Sequence, residues 1–331
     1  MFSTVDAVLF VFWLVSVPLY SLFLFTLVKY RNEEPFNASF FRITFCVGCV
    51  DIYALLNNWI LLKFPIYDWL HVRDLLRLSP TGWAQFFIPG TGVCCFAQYT
   101  AIGLMALNRF TALVLSDRHD LIWTGRRTKL SMASIFVLPF LLCIPMMTLS
   151  FTYVGLEQTT VGNSSTEFAV VWNDFDWQVF YFKLEVALVL LVLIVCTVCY
   201  SVICWSLRAT IRSIAAGIGA EQSSGSKFAD IKLAFTGFVL FVLLAVNLYY
   251  SNSMSNAIDF ESYLRAVQIY LILMDVLAWV NPYLFLLTSS YVRSHMLYTL
   301  TCKKVVSAVT NRKRSVKPNR INGGGKVENK F

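Results

Sequence analysis

The sequence predicts an all-α membrane protein, a seven-transmembrane helix bundle with its amino terminus outside and its carboxyl terminus cytoplasmic. Three observations lead there. Seven long apolar stretches divide the chain, and about 20 apolar residues is what a helix needs to cross roughly 30 Å of hydrocarbon. Most of the 27 Lys and Arg residues fall in connections on one side of those stretches. Ionisable residues that are costly in lipid nevertheless recur inside them, at Asp51, Lys183, Glu185 and Asp275.

The stretches cover residues 7–28, 40–62, 83–107, 130–153, 179–205, 234–254 and 266–288. The first has no charged residue and no basic segment before it, and it exceeds the apolar part of a signal peptide, so it reads as a span. Lys29, Arg31 and Arg42 fall in the first connection on the basic side, followed by Arg109, Arg118, Arg126, Arg127 and Lys129 in the second. Arg208, Arg212, Lys227 and Lys232 occupy the third, and ten more basic residues follow the seventh stretch. The opposite connections hold Lys63, Arg73, Arg77 and Arg265. Basic residues collect on the cytoplasmic side, which sets the orientation. The outer segment 154–178 has no basic residue and four acids, Glu157, Glu167, Asp174 and Asp176.

A formal charge of +8 invites a nucleic-acid reading. Residues 303–331 alone carry nine basic residues and one acid, so the rest of the chain sums to zero. A basic tail beside a membrane is better matched to anionic lipid, at about 1 kcal/mol per residue near the surface. The expectation is a seven-helix membrane domain over residues 1–302 and a basic, disordered cytoplasmic tail over 303–331, with membrane lipid and no nucleic acid as partner. The chain shows no internal repeat, which weakens a transporter built from two similar halves.

Eight of the nine cysteines lie in or at the ends of apolar stretches, where thiols behave as small hydrophobes, and none has metal-ligand spacing. No cofactor is implied. Cys302 follows a short segment that fits the inner surface and is a candidate for palmitoylation. Asn163-Ser164-Ser165 is an N-glycosylation triplet on the outer side; Asn37-Ala38-Ser39 also matches but falls on the inner side.

Asp51 and Asp275 are expected to face the bundle interior and join an intramembrane polar network with Asn57, Asn58, Asn247 or Asn281, for structure or for switching. Lys183 and Glu185, two apart, project differently on a helix, and Lys183 is placed to snorkel toward water. At helix ends, Leu107-Asn108-Arg109-Phe110 puts an arginine at the inner mouth of the third stretch, and Asn281-Pro282-Tyr283 puts a proline inside the seventh. Proline removes a ladder hydrogen bond and permits a hinge.

These features resemble the seven-helix G-protein-coupled receptors, and more narrowly the nematode serpentine chemoreceptors of the Srg superfamily, class v or class gamma. The resemblance covers roughly residues 5–300. Its sharpest part is Leu107-Asn108-Arg109-Phe110-Thr111-Ala112 with Ile122-Trp123 downstream, which looks like that superfamily's form of the Asp-Arg-Tyr motif. It implies that Arg109 engages the G protein, with Asn108 and Phe110 beside it, and that Asn281 and Pro282 form the seventh-helix switch. Asn108 replaces the motif's acid, Phe285 stands where the switch's last tyrosine would be, and no outer-loop cysteine is present for the usual disulfide.

The implied function is a chemosensory receptor that binds an extracellular small molecule and signals to a heterotrimeric G protein. Its implied address is the plasma membrane, in particular the ciliary membrane of sensory neurons. Trp59, Tyr249, Tyr250, Tyr263 and Tyr270 are aromatic candidates for an outer cavity. The competing class is a channel or transporter with Asp51 and Asp275 in the path. Catalysis is disfavoured: Val50-Asp51-Ile52 and Met274-Asp275-Val276 lack the signature of intramembrane aspartyl proteases, and His71, His119 and His295 are scattered.

Overall fold

A computed structural model of the chain describes residues 4–64, 80–160, 163–215, 224–257 and 260–301. In lipid every backbone N–H and C=O must be satisfied within the segment, so apolar stretches of this length fold as helices. Among the described residues, seven helices are long and apolar enough to cross a membrane. They are α1 (Thr4–Lys29), α2 (Ser39–Leu56), α3 (Pro80–Val114), α5 (Gly125–Cys143), α6 (Phe175–Ala215), α7 (Ser224–Ser255) and α8 (Phe260–Thr288). Two shorter helices, α4 (Ser116–Ile122) and α9 (Ser290–Thr301), follow α3 and α8.

Three boundaries differ from the sequence reading. The fourth stretch was expected to stay helical to residue 153, but α5 ends at Cys143. Pro145 cannot donate to an α-helical ladder; the chain tightens into the 3-10 turn Pro145–Thr148 and then extends at Leu149. Past that turn, the segment expected as a long outer loop forms a β-hairpin, β1 (Phe151–Thr160) and β2 (Asn163–Trp172). Its antiparallel register runs from Phe151↔Trp172 to Thr160↔Asn163. The rings of Phe151 and Trp172 stand 4.8 Å apart at its base, and Trp172 lies 5.8 Å from Tyr181 on α6.

The third difference concerns α2, which passes into a π-helical stretch, Asn57–Lys63. Lys63 was expected in an outer connection, yet it lies inside the bundle at 3% exposure. On an α-helix, residues five apart point about 140° away from each other at roughly 100° each. The i→i+5 bonding of a π-helix brings Asn58 and Lys63 onto one face.

Burial orders the layers. The α3 span is 61% buried and packs against α2, α5, α6 and α7, so it forms the axis of the bundle. The α5 span is 22% buried and sits at the rim. Exposed Val11, Phe140, Leu191, Phe238 and Leu287 belong to an apolar outer surface of the kind that faces lipid. Lys183 is exposed on that surface, whereas Glu185 points inward.

Candidate functional site

Three buried polar clusters and one closed pocket follow the bundle axis. At the end where α2 starts and α3 finishes, Arg109 lies with its Cζ 3.4 Å from the ring centroid of Phe40. Its neighbour Asn108 donates Nδ2–H to Ser39 Oγ across 2.9 Å, joining α3 to α2. Phe110, half-buried, packs against the core. Arg109, Met105, Tyr200, Gly237, Leu240 and Phe285 line a cavity of only about 10 Å³, so this end is closed. Gly237 permits the closure: a Cβ there would sit 1.7 Å from the Tyr200 hydroxyl oxygen, so the missing side chain lets α6 and α7 meet.

The connection after α3 is tied to the same place. Thr111 Oγ1 donates to Asn108 O at 2.9 Å and accepts the Trp123 indole N–H at 2.7 Å. His119 Nδ1 stands 3.1 Å from the same hydroxyl. Burial, with a further push from Arg109 against the pull of Asp120, holds the His119 imidazole below its ordinary range. At the start of α9, His295 stacks on Tyr291 with 4.2 Å between centroids and meets Tyr30 and Phe36 edge-on, docking that helix on the α1–α2 connection. Burial beside Glu33 and Glu34 pushes the Tyr291 phenol up.

Twelve residues along α2 from Ser39, about 18 Å up the helix, Asp51 is 1% exposed. It accepts from Tyr20 Oη on α1 at 2.5 Å, Gln98 Nε2 on α3 at 2.7 Å and Asn281 Nδ2 on α8 at 2.8 Å. One carboxylate thereby joins four helices through neutral donors. Asn281 and Pro282 lie within α8, which continues to Thr288. Phe285 stacks on Phe23 at 5.3 Å, so an aromatic contact to α1 occupies the position of the missing tyrosine.

Near the hairpin end, Asp275 is paired with the Lys63 ammonium and accepts from Asn58 Nδ2 at 2.6 Å. The Lys63 ammonium also lies 4.4 Å from the Trp59 ring centroid, among Trp59, Trp13, Phe10 and Phe64. Glu185 on α6 makes the third cluster, accepting from Tyr99 at 2.6 Å, Tyr270 at 2.8 Å and Ser251 at 3.1 Å. Asp51 and Asp275 therefore belong to separate clusters, not to one network. Asn247 joins the Glu185 group through Ser251, 3.1 Å away.

Sequence reasoning named both aspartates but not Tyr20 or Gln98, and it put Lys63 in a connection. A lysine at the last turn of an apolar stretch reads as a loop residue until the π-helical turn is known. Of the aromatic candidates, Trp59 and Tyr270 are buried at these clusters, whereas Tyr249 is 66% exposed. Asn163 pairs with Thr160 at the hairpin tip. Cys302 and the tail beyond it lie outside the described residues.

Seven apolar helices, closed at one end around an arginine and joined by buried carboxylates with no metal-binding group among the described residues, define a multi-pass membrane protein of receptor architecture. The chain belongs to a family of chemosensory G-protein-coupled receptors: residues 9–302 match the family described as serpentine type 7TM GPCR chemoreceptor Srv. Of the two classes left open by the resemblance, class v is the one matched. That family consists of receptors, not enzymes. Serpentine receptor class V-1 of Caenorhabditis elegans is 28% identical over 142 residues, 43% of this chain and 45% of that protein. The aligned stretch thus spans less than half of that relative.

Proposed function

We propose that a small molecule arriving from outside the cell acts at the hairpin end of the bundle, and that a heterotrimeric G protein couples at the Arg109 end. The observation that carries this reading is the closed pocket around Arg109, which sits beside the connections richest in Lys and Arg. The positive-inside bias makes that end cytoplasmic, with the amino terminus outside. The described residues support the same assignment: Lys63, the one basic residue of the second stretch's far end, is paired within the bundle.

In this reading Arg109 is the coupling residue, Asn108 and Phe110 position it, and Asn281 with Pro282 transmits the change along α8 by way of Asp51. Ligand shifts the bundle only as far as its affinity differs between the closed and open arrangements. Exposed Arg208 and Arg212, four apart on α6, add a basic face for an acidic partner surface. The plasma membrane, and within it sensory cilia, is the proposed address. Asn163 is the proposed glycosylation site, Cys302 the proposed palmitoylation site, and residues 303–331 the lipid-binding tail.

Arg109→Ala is expected to abolish ligand-evoked G-protein activation in a reporter cell while surface expression stays near wild type. Unchanged signalling would remove Arg109 from the mechanism. Substrate flux through the wild-type protein, lost in Asp51→Asn, would favour a transporter instead.

A further inference from the structure

A closed end that opens needs a fixed point about which a helix turns, and α7 carries the evidence of one. Sharp bends in helices arise at proline, at Gly/Ser pairs or at π-bulges. The span Phe235–Ser255 contains neither proline nor a Gly/Ser pair, and it is α-helical throughout. It therefore moves as a rod, and a rod swings about the point where it is held most firmly.

The bonds of α7 to the rest of the bundle change character along its length. Toward the hairpin end, Ser251 Oγ lies 3.1 Å from Glu185 Oε1 on α6 and 3.1 Å from Asn247 Oδ1, sharing its one proton between them. Asn247 Nδ2 reaches Met274 Sδ on α8 at 3.1 Å. The same Glu185 oxygen also accepts from Tyr99 on α3 and Tyr270 on α8, so one atom gathers hydroxyls from three helices onto a fourth. Hydrogen bonds to a carboxylate are roughly twice as strong as those between neutral groups. Toward the Arg109 end, α7 instead presents buried Leu244 and Leu240, the packing of Gly237 on Tyr200, and a long 3.4 Å contact between the Thr236 and Thr288 hydroxyls.

The held point is also anchored to the axis of the bundle. Gln98 and Tyr99 are neighbours on α3; the first donates to Asp51 and the second to Glu185. At this level α3 is thus bonded to α2 on one side and to α6 on the other. We infer that the Glu185 node is the pivot of α7, with Ser251 as the residue that seats the helix on it. Gly237 lies 14 residues from Ser251, about 21 Å along the rod, so a small tilt at the node becomes a wide separation beside Arg109. The inference rests on the receptor reading in taking the Arg109 end as the one that opens.

The test uses the full chain in lipid nanodiscs, spin-labelled through unnatural amino acids in three pairs at successive heights: Phe235 with Leu130, Val242 with Phe136, and Tyr249 with Leu141, all exposed. Gly237→Ala, whose methyl meets the Tyr200 hydroxyl, forces the end open without ligand or G protein. The labelled sites on α7 stand about 24, 14 and 3 Å from Ser251. The lengthening at Val242 is therefore expected to be about six-tenths of that at Phe235, and that at Tyr249 close to nothing. Adding Ser251→Ala, which leaves Tyr99 and Tyr270 on Glu185, should let the Tyr249 pair lengthen as well and flatten the gradient. Hydrostatic pressure, which favours states with less void volume, supplies the same comparison in a chain with native Gly237. Movement at Phe235 without movement at Val242 would mean a bend, equal movement at all three heights a translation, and an unaltered gradient in Ser251→Ala a different seat; each overturns the pivot while leaving the opening intact. No movement at any height contradicts the opening itself, and the pivot with it.

Discussion

The two ends of the bundle bury positive charge by different means. Near the hairpin, Lys63 is neutralised by Asp275, and Asn58 completes the carboxylate. At the opposite end, Arg109 lies against the ring of Phe40 in an apolar pocket shut by the contact of Tyr200 with Gly237. Removing one partner of a buried ion pair leaves an uncompensated charge, at about 3–5 kcal/mol. A cation–π contact contributes only about 0.5–2 kcal/mol, and a close-packed glycine contact has no directional bond to break. The first end is tied by a directional ion pair, and the second is shut by the packing of Phe40, Tyr200 and Gly237 around Arg109. That asymmetry is what a receptor requires if ligand is held at one end and the partner admitted at the other.

The largest expected effect breaks the first end. Lys63→Met should destabilise the protein by about 3–5 kcal/mol, seen as a lowered thermal midpoint in detergent and reduced surface expression. The paired change Lys63→Met with Asp275→Leu should recover most of that loss, because an apolar pair of similar volume leaves no buried charge. Equal damage in the single and double variants would show that the ion pair is not what holds α2 to α8.

At the second end, Gly237→Ala adds a methyl where the Tyr200 hydroxyl already lies. The overpacking should cost about 1–3 kcal/mol and wedge α6 from α7. Basal G-protein activation is expected to rise, and Tyr200→Leu in the same chain should return it toward wild type. A silent Gly237→Ala would mean that the closed pocket does not restrain signalling.

The smallest effect concerns pH. The folded state holds His119 below its ordinary value of 6.5, so the unfolded or undocked form binds more protons as pH falls through that value. Docking of α4 on α3 is therefore complete above about pH 6.5 and weakens on acidification. Protection of residues 116–122, taken relative to the intrinsic exchange rate at each pH, should fall on acidification below the ordinary histidine range, and His119→Gln should remove that dependence. Protection that does not change with pH would place the imidazole outside the coupling.

The spans were legible because apolar runs of this length have one solution in lipid. The places of Arg109 on α3 and of Asn281 and Pro282 on α8 were legible because each lies within or at the end of a long apolar run. The π-helical turn was not, since nothing in Asn57-Asn58-Trp59 signals a change of helical bonding. Partners of the buried carboxylates were hidden for a different reason. Tyr20 and Gln98 reach Asp51 from 31 and 47 positions away, and such pairs depend on helix order and rotation, which periodicity in one stretch does not reveal. The hairpin was missed because its polar residues cluster, in Glu157-Gln158-Thr159-Thr160 and Asn163-Ser164-Ser165-Thr166, and leave no strict apolar–polar alternation to mark strands.

The central claim is that the Arg109 end is a closed cleft that opens to admit a G protein. Spin labels introduced as unnatural amino acids at Leu115 and Phe235, both exposed, would report the separation of α3 and α7 by pulsed electron resonance. The expected result is one short distance for the free protein and a second, several ångströms longer, that grows when nucleotide-free G protein is added. A bound G protein with the short distance unchanged would contradict the account.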